Sequence, residues 1–163
     1  MVFKGDGKMN LAFFVERADN SHQDLFKFLN EAVAEYKDHN FSVFYNDLDQ
    51  IAIPTNFAMF NATELWSFTG VLICLGLNNT ARASRVINKF QLLHMFDKSD
   101  KESLFNIISL LDQEHVKVIA KDEESAKEFY RVTGVKPEYF KEFSVDEILA
   151  QSLGSHFKEE AVS

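Results

Sequence analysis

From Asn10 onward, short apolar runs of strand length alternate with stretches whose apolar residues recur every three or four positions. Asn10-Leu11-Ala12-Phe13-Phe14-Val15 reads as a first strand. Ser21, with Asp24 three residues on, approximates a capping box, and Leu25, Leu29, Ala32, Val33 and Tyr36 then mark an amphipathic helix ending near Asp38-His39-Asn40. Phe41 to Tyr45 is a second strand. Leu48 to Phe60, interrupted by Pro54, has no period. A short helical turn over Ala62 to Trp66 then leads to a third strand, Gly70 to Leu75.

The alternation continues to the end. Thr80 to Asn88 reads as a helix with Ala83, Val86 and Ile87 inward and Arg82, Arg85 and Lys89 outward. Phe90 to Phe96 is a fourth strand. Ser99 with Glu102 forms a capping box before Leu104, Ile107, Ile108 and Leu111. Val116 to Ala120 is a fifth strand. Asp122 follows as N-cap, with Glu123 and Glu124 in the first turn and Gly134 as the helix stop. Glu138 to Phe143 is a weak sixth strand, and a box of Ser144 with Glu147 opens a last helix to Leu153. Parallel strands need crossovers of a dozen or more residues, which most of these spacings supply. The pattern predicts an α/β fold, a three-layer α/β/α sandwich on a mostly parallel, five- to six-stranded Rossmann-like sheet. With no linker composition to divide it, residues 10–153 read as one domain between a flexible tail, 1–9, and a polar tail, 154–163. Met9 is a candidate natural start.

Composition narrows the function classes. The 163 residues are 46% hydrophobic and 26% charged, ordinary for a globular chain, and the 17 Phe bring large apolar area with no polar handle. A formal net charge of −8, with scattered basic residues, disfavours nucleic acid and anionic membranes as partners. The one cysteine, Cys74, sits in an apolar run and reads as a buried thiol. No stretch approaches the roughly 20 apolar residues of a membrane span, and the N-terminal residues show no signal-peptide h-region. The expected setting is soluble and cytoplasmic, where the glycosylation-type triplets at Asn61 and Asn78 carry no meaning.

In an open α/β sheet, ligands bind beyond the carboxyl ends of the strands. By position, that edge should carry Glu16, Arg17 and Asn20, then Asn46 and Asp47, then Gly76, Asn78, Asn79 and Thr80, then His94 and Asp97, then Lys121 and Asp122. The strong motifs are absent. The first turn, Glu16-Arg17-Ala18-Asp19-Asn20-Ser21, holds no glycine, and neither a P-loop, a G-x-S-x-G elbow, H-E-x-x-H nor a paired-cysteine site occurs. No cofactor and no metal are therefore expected. Three weaker features remain. Asp47-Leu48-Asp49 is a D-x-D; His94 near a strand's carboxyl end, with Asp97, suggests a base; and the Asn78-Asn79-Thr80 turn opens a helix whose N–H groups suit a phosphate. Catalytic candidates are thus His94, Asp97 and Asp47, and ligand-binding candidates are Glu16, Arg17, Asn78, Asn79, Thr80 and Lys121.

Leu65-Trp66-Ser67-Phe68-Thr69-Gly70-Val71-Leu72-Ile73-Cys74 resembles the aromatic-x-Gly-x-Leu-Ile run of phage-type glycosyltransferases with two Rossmann-like halves, the GT-B arrangement. Lys89 to Asp97 is similar to their strand ending in an aromatic-acidic motif. Val118 to Lys127 is similar to a later strand leading into a helix, and Phe143 to Leu149 to the segment closing the N-terminal half. After Asp97 the chain departs, reading Lys98-Ser99-Asp100. The resemblance implies an N-terminal-half-like domain without a complete donor site, so that catalysis by this chain alone does not follow. Its implied partners are a sugar nucleotide or a second protein chain. Two other readings stand beside it. One is a non-enzymatic interaction or accessory module, self-associating or not, working through Phe57, Met59 and Phe60. The other is a small-ligand enzyme in which His94, Asp97 and Asp47 converge.

Overall fold

Each apolar run becomes a strand because its β-branched and aromatic residues bury both faces of a sheet covered on each side. The computed structural model describes residues 8–86, 90–100, 109 and 115–152. Its strands are β1 (Asn10–Ala18), β2 (Asn40–Leu48), β3 (Ala58–Asn61), β4 (Gly70–Leu75), β5 (Phe90–Phe96), β6 (Val116–Ala120) and β7 (Glu138–Tyr139). They form an all-parallel, Rossmann-like sheet in the order β3-β2-β1-β4-β5-β6-β7. The helices are α1 (Gln23–Glu35), α2 (Leu77–Ser84), α3 (Glu123–Thr133) and α4, residues 145–152. Seven strands stand where five to six were expected, and the additional one is β3. Its residues alternate poorly, and Pro54 just upstream disguises it. The box residue Glu102, the helix positions Leu104, Ile107, Ile108 and Leu111, Ile87 to Lys89, Leu153 and the tails 1–7 and 154–163 lie outside the described residues. The chain divides into two compact units, Met1–Leu92 and Leu93–Ser163.

In the first unit, β1 pairs with β2 and β4 (Phe13↔Val43, Phe13↔Ile73), and β2 pairs with β3 (Phe44↔Phe60). Side chains alternate across the sheet, so Phe13 and Phe14 face opposite layers. Phe13 meets Phe28 of α1 edge-on at 6.4 Å. On the other face, Phe44 packs against Phe60 and Phe68 at 5.5 and 5.4 Å. The abundant phenylalanines thus line both faces, and Phe13, Phe14, Phe26, Leu29, Leu72 and Ile73 are fully buried. Two sequence expectations change. Ser21 does not cap α1; instead the Asp19 carboxylate accepts from the Ser21 N–H at 2.9 Å and caps a single 3-10 turn, Asn20–His22, ahead of the helix. Met9, placed in the flexible tail, is buried, and its N–H donates to His39 Nδ1 at 3.1 Å.

In the second unit the start signals at Asp122 and Ser144 hold. Asp122 caps α3, accepting from the Ser125 N–H at 2.8 Å, and Gly134 ends it in the left-handed region at φ 75°. Phe129 of α3 packs against Phe96 at 5.3 Å. Ser144 Oγ accepts from the Glu147 N–H at 3.2 Å, and the Glu147 carboxylate accepts from the Lys141 and Glu142 N–H groups at 2.6 and 2.9 Å. That second clamp shortens the expected sixth strand to Glu138–Tyr139, because the backbone of residues 141 and 142 bonds to Glu147. Losing an N-cap side chain costs about 1 kcal/mol. Asp122→Ala should therefore lower the urea-unfolding free energy by that amount while Asp122→Asn stays near wild type. Equal losses in both variants would mean that the charge matters rather than the cap.

Candidate functional site

Within the first unit β1 leads to β2 and β3 on one side, and β4 returns to the other side of β1, so strand order reverses between β1 and β4. In doubly wound sheets, the crevice beyond the carboxyl ends at such a reversal is where ligands sit. Here it belongs to the first unit. β1 and β2 run three residues further than their apolar runs, because Arg17 pairs with Asp47 and Ala18 with Leu48 in register. Glu16, Arg17, Asn46 and Asp47, expected in loops, are thus strand residues at the rim.

By alternation, Glu16 and Asn46 lie on the face of Phe14 and Phe44. Asn46 Nδ2 donates to Glu16 Oε2 at 2.7 Å and to Asn79 Oδ1 at 2.9 Å. Arg82 donates from its guanidinium to Asn46 Oδ1. Buried Asn79 donates in turn to the Leu75 carbonyl at 2.8 Å. Three strand ends and α2 are thereby tied into one polar cluster. Gly76, at φ 94°, makes the turn from β4 into α2, so the helix opens at Leu77 rather than at the expected Thr80. Asn78 is exposed in its first turn, whereas Thr80 is fully buried and its hydroxyl donates to the Gly76 carbonyl at 3.2 Å. Arg17 pairs with Asp49 at 3.3 Å, which occupies one carboxylate of the D-x-D, and Asp47 is exposed.

No family model, no curated protein and no solved structure matches the chain. What the cluster can do follows from its chemistry. Arg82 has five N–H donors, of which Asn46 takes one, and its exposed fork suits an anion. Glu16 and Asp47 accept hydrogen bonds, as sugar or ribose hydroxyls require. Among the described residues, no group of three or more His, Cys, Asp or Glu could hold a metal ion, and no helix is long and apolar enough to cross a membrane. Cys74 is buried beside the Thr80 hydroxyl, and burial pushes its thiol pKa up, so it offers no nucleophile.

The second unit holds the other candidates. His94 is 1% exposed within β5, and burial pushes its pKa down to about 4, leaving it neutral. Asp97 sits at the rim. Burial raises its pKa, but the Ser99 N–H at 3.1 Å and the Lys121 ammonium at 3.2 Å outweigh this and hold the carboxyl below its usual value. Asp97 and Lys121 are thus brought together as an ion pair, and the neighbouring Lys98 N–H donates to Ser125 Oγ at 2.9 Å, seating the loop on α3. Sequence reasoning missed Arg82. The available signal was Gly76 as helix start, which puts Asn79 and Arg82 three apart on one face of α2.

Proposed function

We propose that this chain is a Rossmann-like binding domain of the glycosyltransferase type, holding a sugar nucleotide at the β1/β4 crevice without completing transfer by itself. The observation that carries this reading is the convergence of Glu16, Asn46, Asn79 and Arg82 over the ends of β1, β2 and β4. Arg82 and the first turn of α2 would take a phosphate group, and Asp47 with Glu16 the hydroxyls of a ribose or sugar. The Glu16 carboxylate is engaged by Asn46 and the Cys74 thiol is buried, which suits binding rather than proton or group transfer. A buried free thiol also fits a reducing cytoplasmic setting.

A ligand at a hundred times its Kd stabilises the folded state by about 2.7 kcal/mol, or about 5–10 °C in Tm for a chain of this size. UDP-glucose or GDP-mannose at millimolar concentration should raise the Tm of the wild type, Arg82→Ala should lose the shift, and Arg131→Ala should keep it. Absence of any shift with either sugar nucleotide and with inorganic pyrophosphate would remove the reading.

A further inference from the structure

We infer that the outer edge of β3 is a two-fold contact between copies of this chain. β3 is the terminal strand of the sheet, and among the described residues it pairs with β2 alone, so its outer N–H and C=O groups have no strand neighbour there. Natural edge strands are guarded by charges, prolines or bulges. This one is not: from Gln50 to Thr63 there are fourteen residues without a charge, in a chain carrying 17 basic and 25 acidic residues. Pro54 stands four residues before the strand begins, and Glu64 three residues after it ends.

Exposed apolar side chains stand in this strand and in the elements that adjoin it by pairing or in sequence. Among the described residues of the first unit, the large hydrophobics that remain exposed are Leu48 (56%), Phe60 (38%) and Trp66 (71%). Leu48 ends β2, Phe60 is in β3, and Trp66 lies in the 3-10 turn (Ala62–Ser67) that follows it. A groove of about 460 Å³ borders β3, lined by Phe41, Phe57, Ala58, Phe60 and Phe68 together with His39, and by no Lys, Arg, Asp or Glu.

Charge selects the occupant. Two chains of net charge −8 repel over most of their surfaces and can approach closely only where charge is absent. A basic partner would instead be drawn to the acidic surface, away from this edge. Backbone pairing of β3 with its two-fold copy is self-complementary without any matching of side chains, and it closes at two. The copy's Phe60 then meets the uncharged groove. This contact is independent of the crevice at β1 and β4, so either can fail without the other.

Sedimentation equilibrium of the full chain from micromolar to submillimolar concentration tests it. The expected result is a monomer–dimer equilibrium that tightens as NaCl rises from about 0.05 to 0.5 M, because salt screens the like-charge repulsion. Phe60→Lys and Ala58→Lys should each weaken the dimer by at least about tenfold. Ala58 is exposed, so its variant should keep the wild-type Tm even if Phe60→Lys loses packing against Phe44. A chain that stays monomeric throughout, a dimer untouched by Ala58→Lys, or a dimer that loosens with salt would each overturn the inference.

Discussion

Gly70→Ala should cost about 4 kcal/mol of unfolding free energy, combining roughly 1–3 kcal/mol for an L-residue held at a sparsely populated φ with roughly 1–3 kcal/mol for an added methyl that has no room. Both parts can be read from the geometry. Gly70 has φ 130°, and a Cβ placed on it would stand 2.1 Å from the Asn10 carbonyl oxygen and 2.8 Å from the Asn10 Cβ. The neighbour is backbone, so no side chain can swing aside. Asn10 is also tied down, donating to Thr69 Oγ1 at 3.5 Å and accepting from Asn40 Nδ2 at 2.9 Å, so a shift there would disturb the starts of β1, β2 and β4 together. Gly134 provides the control. Its φ is also positive, at 75°, but a Cβ there would meet nothing within 4 Å. Gly134→Ala should therefore cost only the conformational part, about 1–2 kcal/mol. Urea unfolding of the two variants separates strain from clash, and similar losses would show that the close approach of β1 to β4 is not a constraint.

That glycine also shows where sequence reading reaches and where it stops. Its place at the start of β4 was legible, because the apolar run begins there. Its necessity was not, since the clash is with a residue sixty positions away in sequence. The same division runs through the fold. Asp122, Gly134 and the Ser144–Glu147 pair mark helix ends through bonds spanning a few residues, and local bonds leave local signatures. Ser21 and Asp24 have the same spacing, yet Asp19 takes the Ser21 N–H, because a 3-10 turn intervenes before α1. Phe57 and Phe60 fall in one irregular stretch but part company: Phe57 is buried against Phe26 at 5.5 Å, while Phe60 stays at the sheet edge.

The candidate site was legible in position but not in composition. The strand alternation pointed to the carboxyl edge, and Glu16, Asn46 and Asn79 were on it. Arg82 was not, because a helix read as opening at Thr80 leaves Asn79 outside it and counts Arg82 merely as solvent-exposed. The residue is indeed exposed, and it reaches back along the helix to Asn46. A long flexible side chain covers distance that a helical wheel does not register.

His94 should make the chain lose stability in mild acid. Its folded pKa of about 4 lies below the unfolded value of 6.5, so between these pH values the unfolded chain binds the proton and the folded chain does not. Stability is therefore fully present above about pH 6.5 and falls as pH drops toward 4. The shift corresponds to on the order of 3 kcal/mol at the acid end. Urea unfolding at pH 7 and pH 4.5 should show most of that loss in the wild type. His94→Gln, which carries no titrating group, should be less stable at pH 7 but lose distinctly less on acidification. Carboxylates such as Asp97 add a slope common to both proteins, so the difference between them isolates the histidine. Equal slopes would mean that His94 is solvated enough to titrate normally, and would reopen its candidacy as a base. If the slopes differ as expected, a side chain that is 1% exposed and neutral down to about pH 4 is a core residue of β5, which leaves the polar cluster at the β1/β4 crevice as the place for ligand chemistry.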